Sequence, residues 1–147
     1  MAKDLAPAEV AANFGMGVNC CMQVFSAVAE DIGLSEEEAC RIGAGFGGGM
    51  GLGSTCGCVT GALMALGYKY GNDGPGQKEK IAVYNEKKKA FLQAFKEECG
   101  STVCPELLDG LNPAVPADKA VIVERGLMKE VCAPAVCTAV DILADLL

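Results

Sequence analysis

Cysteine is the residue through which this chain can do chemistry. There are nine in 147 residues, and there is no histidine. They stand at Cys20, Cys21, Cys40, Cys56, Cys58, Cys99, Cys104, Cys132 and Cys137. The number is odd and falls below the roughly 8–10% that marks a disulfide scaffold. In a reducing compartment such a set points to metal binding or thiol redox work. The missing histidine removes Ser-His-Asp and Cys-His catalysis, Cys2His2 zinc sites and CxxCH haem attachment. No CxxC occurs, which argues against a thioredoxin-type dithiol or a zinc ribbon. No acid–base pair stands out among the carboxylates, so any turnover has to come from the thiols or from a group they hold.

The elements that must position these thiols read as helices, so the expected fold class is all-α. "APAEVAANF" predicts a short first helix with Pro7 near its start. "NCCMQVFSAVAEDIGL" carries apolar residues at helical spacing behind Asn19 as N-cap. "SEEEACRIG" opens with a capping box from Ser35 to Glu38, and Cys40 inside it reads as a small buried residue. Gly43, Gly45 and Gly48 match G-x-G-x-x-G, but a helix precedes them, so the match carries no dinucleotide site. The glycines read as a tight loop or a close backbone approach. Cys56 to Tyr70 is apolar all round and predicts a central, buried helix. "GNDGPGQ" is a linker, followed by a surface helix from Lys78 to Glu98. "CPELLDG" predicts a short helix started by Pro105, and Asp118 caps another. "KAVIV" is the one candidate strand. "APAVCTAVDILADLL" predicts a last helix with Val136, Val140, Leu143 and Leu147 on one face. The expectation is a single domain over residues 1–147, a compact bundle of about six or seven helices around the Cys56–Tyr70 helix.

On this map Cys20, Cys56, Cys104 and Cys132 fall at predicted helix N-termini, from four separate segments. A helix N-terminus offers unpaired N–H groups and the positive end of a dipole. It therefore favours the thiolate and can donate hydrogen bonds to sulfur. Cys21, Cys58, Cys99 and Cys137 lie one to five residues from these four, as further ligands, resolving thiols or core residues.

Charge and hydropathy remove other function classes. The net charge is −7 and no basic cluster stands out, the Lys87–Lys89 triplet reading as a solvated helix face. Nucleic acid and anionic membranes are poor partners for such a surface. The longest uncharged stretch, Ile42 to Tyr68, is too glycine-rich for a membrane span. "MAKDLAPAEVAANFG" has no long apolar core, so no signal peptide is expected and the cytoplasm is the expected location. A homodimer is compatible with this apolar, acidic composition.

The motifs "GVNCCMQVF", "FGGG…GSTCGCVTGALMALG", "FKEECGSTVCPELL" and "CAPAVCTAVDILADLL" resemble the C_GCAxxG_C_C family of small redox-active proteins. Its signature is a CGAxxG-like motif with three further cysteines. Here the motif reads Cys56-Gly57-Cys58-Val59-Thr60-Gly61, with Cys20, Cys104 and Cys132 as the single cysteines. The chain departs from the pattern at Cys58, where the motif usually has alanine, and at Cys21. The resemblance implies redox work. A similar domain in a cytochrome leans the inference toward an iron–sulfur centre.

Residues and resemblance together lead to one first reading and two alternatives. In the first, Cys20, Cys56, Cys104 and Cys132 hold an iron–sulfur cluster, with Cys58 and Cys21 as substitutes or additions, in an electron carrier or redox sensor that works with a redox partner protein. In the second, the protein is a metal-free thiol/disulfide redox protein using Cys56 with Cys58, or Cys20 with Cys56. In the third, soft thiolates bind zinc or copper(I).

Overall fold

A computed structural model describes residues 2–147. The described residues fold into eight α-helices: α1 (Pro7–Gly15), α2 (Cys20–Ala27), α3 (Glu36–Gly43), α4 (Gly57–Tyr70), α5 (Lys78–Cys99), α6 (Cys104–Leu107), α7 (Pro116–Glu124) and α8 (Ala133–Leu146). No strand occurs among the described residues; a single antiparallel bridge joins Thr55 to Val103. The all-α expectation holds, and the helices beyond the expected six or seven are short pieces such as α6. Among the described residues no helix is long and apolar enough to cross a membrane.

Local signals set most boundaries. Asn19 caps α2, its side chain accepting from the Met22 N–H at 2.9 Å. The Ser35 hydroxyl accepts from the Glu38 N–H at 3.1 Å, the N-cap half of the expected capping box, and donates to the Glu38 carboxylate at 2.9 Å. "KAVIV" is not a strand. It lies inside α7, which starts at Pro116 and buries Ile122. Asp118, expected as its cap, lies instead within the first turn behind the N-cap Val115 and accepts from the Asn112 N–H at 3.0 Å. The Lys87–Lys89 triplet is not wholly a solvated face either. Lys87 donates to the Leu146 carbonyl at 3.0 Å and sits 5.0 Å from the Tyr70 ring centre, tying α5 to the end of α8.

Two apolar cores result. The larger gathers Phe25 of α2, Val59 and Leu66 of α4, Phe91 and Phe95 of α5, and Val136 and Leu143 of α8. Each such side chain stabilises by about 1.5–3 kcal/mol on burial. α4 lies at the centre, packed against α2, α5 and α8, as its uniformly apolar sequence predicts. The smaller core holds Cys104, Leu108, Ile122 and Leu127, with Val131 and Cys132 against it. The Thr55–Val103 bridge joins the two: the Cys56 N–H donates to the Thr102 carbonyl and the Cys104 N–H to that of Ser54, each at 2.8 Å.

Between α3 and α4 the chain makes a left-handed turn. Gly48, Gly49, Met50 and Gly51 follow one another at φ between 62° and 68°. Three of the four are glycine, the residue for which this conformation costs least; Met50 adopts it against its side chain.

Candidate functional site

Five thiols line one cavity of about 370 Å³ at the seam between the two cores: Cys20, Cys56, Cys58, Cys104 and Cys132. They arrive from four places: the first turn of α2, the start of α4, the start of α6, and the turn leading into α8. Gly47, Gly48 and Gly51 form part of the wall, so the left-handed turn faces the thiols. Phe14, Leu107, Leu108 and Val131 supply apolar surface, and Lys119 is the cation of the lining. All nine cysteines are free thiols.

The helix starts bring these residues together through close backbone contacts that only small residues allow. A Cβ at Gly57 would stand 2.4 Å from the Cys20 sulfur, 3.0 Å from the Cys21 nitrogen and 3.1 Å from the Phe46 carbonyl oxygen. A Cβ at Gly61 would meet the Cys21 carbonyl oxygen at 2.9 Å, and one at Gly43 the Met22 nitrogen at 3.0 Å. The first turn of α2 is thus held between α3 and α4, with Cys20 resting on Gly57. The Asn19 amide fixes it further, donating to the Gly43 and Ala44 carbonyls at 3.3 and 3.0 Å.

The remaining cysteines take no part in the cavity. Cys21, a candidate ligand from sequence, turns its sulfur into the protein, 3.9 Å from the Met64 sulfur. Successive residues of a helix point about 100° apart, so the neighbour of a lining residue faces elsewhere. Cys137 donates to the Leu5 carbonyl at 3.3 Å. Cys99 packs half-buried on the larger core, and Cys40 is half-buried on α3 rather than in the core.

Electrostatics at the site differ from what helix N-termini alone predict. The Cys56 and Cys58 thiols beside Cys20 hold it well below the ordinary thiol value; burial opposes them, and the Gly48 and Cys21 N–H groups add to the lowering. Cys56 and Cys58 are raised in turn, first through their interaction with Cys20 and then by burial. Burial pushes Cys104 up to about 11 and Cys132 up to about 12, against a partial pull from Lys119. The expected lowering at four helix starts therefore holds only for Cys20. At Cys104 and Cys132 loss of water costs the thiolate more than the helix end returns, and at Cys56 the interaction with Cys20 outweighs it. Cys132 also lacks a free helix end, because the helical turn Met128–Cys132 runs straight into α8.

Sequence reasoning did not find Lys119, or that Gly48 is the glycine whose N–H meets Cys20. The glycine run marks the loop, but its register against Cys20 is a tertiary property. Among the described residues no three Cys, Asp or Glu side chains converge closely enough to grip a single metal ion. The thiols stand around a space, not around a point.

Fold and site define an all-α, cysteine-rich protein built about a thiol-lined cavity. The family model described as "Putative redox-active protein (C_GCAxxG_C_C)" matches residues 18–146, and the chain belongs to that family. Comparison with curated proteins and with solved structures gave no match.

Proposed function

We propose that the cavity binds an iron–sulfur cluster through Cys20, Cys56, Cys104 and Cys132, and that the protein serves as an electron carrier or redox sensor for a redox partner protein. The observation that carries this reading is the meeting of five thiols from four segments in one cavity of a chain without histidine. Thiolate-only donors suit Fe–S, zinc or copper(I). A tetrahedral zinc ion needs its sulfurs about 3.8 Å apart, from Zn–S bonds near 2.3 Å. A cavity with thiols spread around its wall suits a group of several atoms better. Cys58 is the fifth thiol and the substitute ligand; Cys21, facing Met64, has no part in the set.

A cluster held here supplies one-electron exchange, at a potential set by burial and by hydrogen bonds to sulfur. The chain's own residues provide both. The Gly48 and Cys21 backbone N–H groups favour the Cys20 thiolate. Leu107, Leu108 and Val131 keep water from the inner wall, and Lys119 offsets negative charge beside Cys104 and Cys132.

Purification without oxygen, followed by elemental analysis, acid-labile sulfide assay and absorption spectroscopy, tests the reading. Iron and sulfide in matching amounts with visible charge-transfer bands are expected, with loss of both in C20S and C104S and retention in C40S. A colourless, iron-free protein that resists reconstitution overturns it. Stoichiometric zinc or copper in the same analysis replaces it with the third reading from sequence.

A further inference from the structure

Lysines gather along one side of α5. Asn85, Lys88, Lys89, Leu92, Gln93 and Lys96 line an open groove together with Thr102. The six helix residues stand at i, i+3, i+4, i+7, i+8 and i+11, one continuous stripe. Phe91 and Phe95 bury another side of α5 in the larger core. The stripe carries three cations and no carboxylate, in a chain of net charge −7. Glu86 and Glu97 lie off the stripe, although Glu97 accepts from the Gln93 amide at 3.2 Å. Among the described residues no carboxylate forms an ion pair with any of the three lysines. The groove also shares a wall with the thiol cavity. The Thr102 carbonyl accepts from the Cys56 N–H at 2.8 Å, and Cys56 lines the cavity. A molecule resting on Thr102 is therefore one hydrogen bond and one residue away from a cavity sulfur.

We propose that this groove docks an acidic redox partner protein, whose carboxylates meet Lys88, Lys89 and Lys96 beside the wall of the thiol cavity. Charge complementarity names the chemistry of the partner. A surface that is acidic on balance turns an acidic protein away, and a local patch of opposite sign then fixes where it lands. Lysine stems reach carboxylates of varied spacing, and half-buried Leu92 supplies apolar surface between them. Electron-transfer encounters are small and salt-sensitive, which suits three ammonium groups around a shallow floor. A second copy of this chain fits less well. Two chains of net charge −7 repel, and a basic stripe that meets a different face of its copy closes no symmetric pair. In the docked pair the partner, as reductant, loses one electron and the cluster gains it; no bond forms or breaks and no proton moves. That exchange rests on the iron–sulfur reading, whereas the docking does not.

Carbodiimide coupling tests the docking, because it joins lysine to carboxylate without a spacer. The 147-residue protein, purified without oxygen, is mixed with a flavodoxin, a small acidic electron-transfer protein, as the probe. Peptide mapping is expected to place the cross-links at Lys88, Lys89 and Lys96. Their yield should fall roughly tenfold or more between about 20 and about 200 mM salt, as the charges are screened. In titration calorimetry K88E/K89E/K96E should weaken flavodoxin binding roughly tenfold or more, and K88Q/K89Q/K96Q by less, with helical circular dichroism unchanged. Absent cross-links, cross-links spread evenly over Lys3, Lys78 and Lys129, or wild-type affinity in the charge-reversed protein overturns the docking surface. Cross-links at the same lysines to a second copy of this chain, with none to flavodoxin, overturn the acidic partner in favour of self-association. Stopped-flow mixing with reduced flavodoxin then reads the exchange through flavin absorbance, expected to be roughly tenfold slower in the charge-reversed protein. Equal rates in the two iron-loaded proteins overturn the groove as the place of exchange. A protein that holds no iron and takes up no electron fails the iron–sulfur reading, while the cross-links still decide the docking.

Discussion

Gly57 offers the sharpest test of how the site is packed, because the same substitution in the same helix should act with opposite sign ten residues later. In G57A the new methyl lands 2.4 Å from the Cys20 sulfur, which can swing aside on its single side-chain torsion. The contacts at 3.0 Å to the Cys21 nitrogen and 3.1 Å to the Phe46 oxygen involve backbone that cannot. Overpacking of this kind costs about 1–3 kcal/mol. Replacing glycine by alanine in a helix returns up to about 1 kcal/mol, less at the first residue of α4 than in its interior. The net expectation is a loss of about 1–2 kcal/mol, a fall in Tm of roughly 3–8 °C for a chain of this size. At Gly67, inside α4, an added Cβ finds only the Tyr84 ring at 3.6 Å, an ordinary contact. G67A should therefore gain about 0.5–1 kcal/mol. Urea unfolding of the reduced, metal-free proteins at pH 7, followed by circular dichroism, measures both. A G57A protein as stable as wild type would refute the close seating of α2 on α4. Equal losses in the two variants would show that α4 resists any added methyl and that Cys20 is not the reason.

Other perturbations carry equally definite signs. N19A removes the α2 cap and the amide bonds to Gly43 and Ala44, and should cost about 1–2 kcal/mol in the same unfolding assay. N19D, which keeps the capping oxygen, should fall between N19A and wild type. M50G relieves a left-handed methionine at φ 64° and should raise stability by about 0.5–1 kcal/mol; a loss would mean that the Met50 side chain anchors the loop. Thiol ionisation sets the alkaline limit of the metal-free fold. Cys21 and Cys104 are raised to about 11 and Cys132 to about 12 from an ordinary 9.0, chiefly by burial. Their contribution is fully present below the unfolded value and is lost as pH rises toward the folded ones, each with a slope of at most about 1.4 kcal/mol per pH unit. Cys20, lowered, acts in reverse: its contribution is present above pH 9 and is lost as pH falls through its folded value. Unfolding midpoints in urea should therefore drop between pH 9 and pH 11, and C132S should flatten that drop.

What the sequence alone determined is what depends on near neighbours. Asn19 and Ser35 cap because a side-chain oxygen reaches an N–H three residues on, a relation written in the chain itself. Proline at a first turn and an unbroken apolar run mark α8 and the buried α4 in the same way, whereas α7 starts at Pro116, ahead of the Asp118 expected to cap it. The order of the cysteines along these elements is also sequence information, and Cys20, Cys56, Cys58, Cys104 and Cys132 do meet in one cavity. Tertiary structure decided the rest. Cys20 and Cys21 are adjacent in sequence, yet one faces the cavity and the other Met64, because the helix turns between them and packing fixes which side faces α4. Lys119 joins the lining only because α7 folds back over the smaller core. The direction of each thiol's pKa follows from the water it loses and the sulfurs it meets. Both are properties of how distant segments pack, and neither can be read from a helix start.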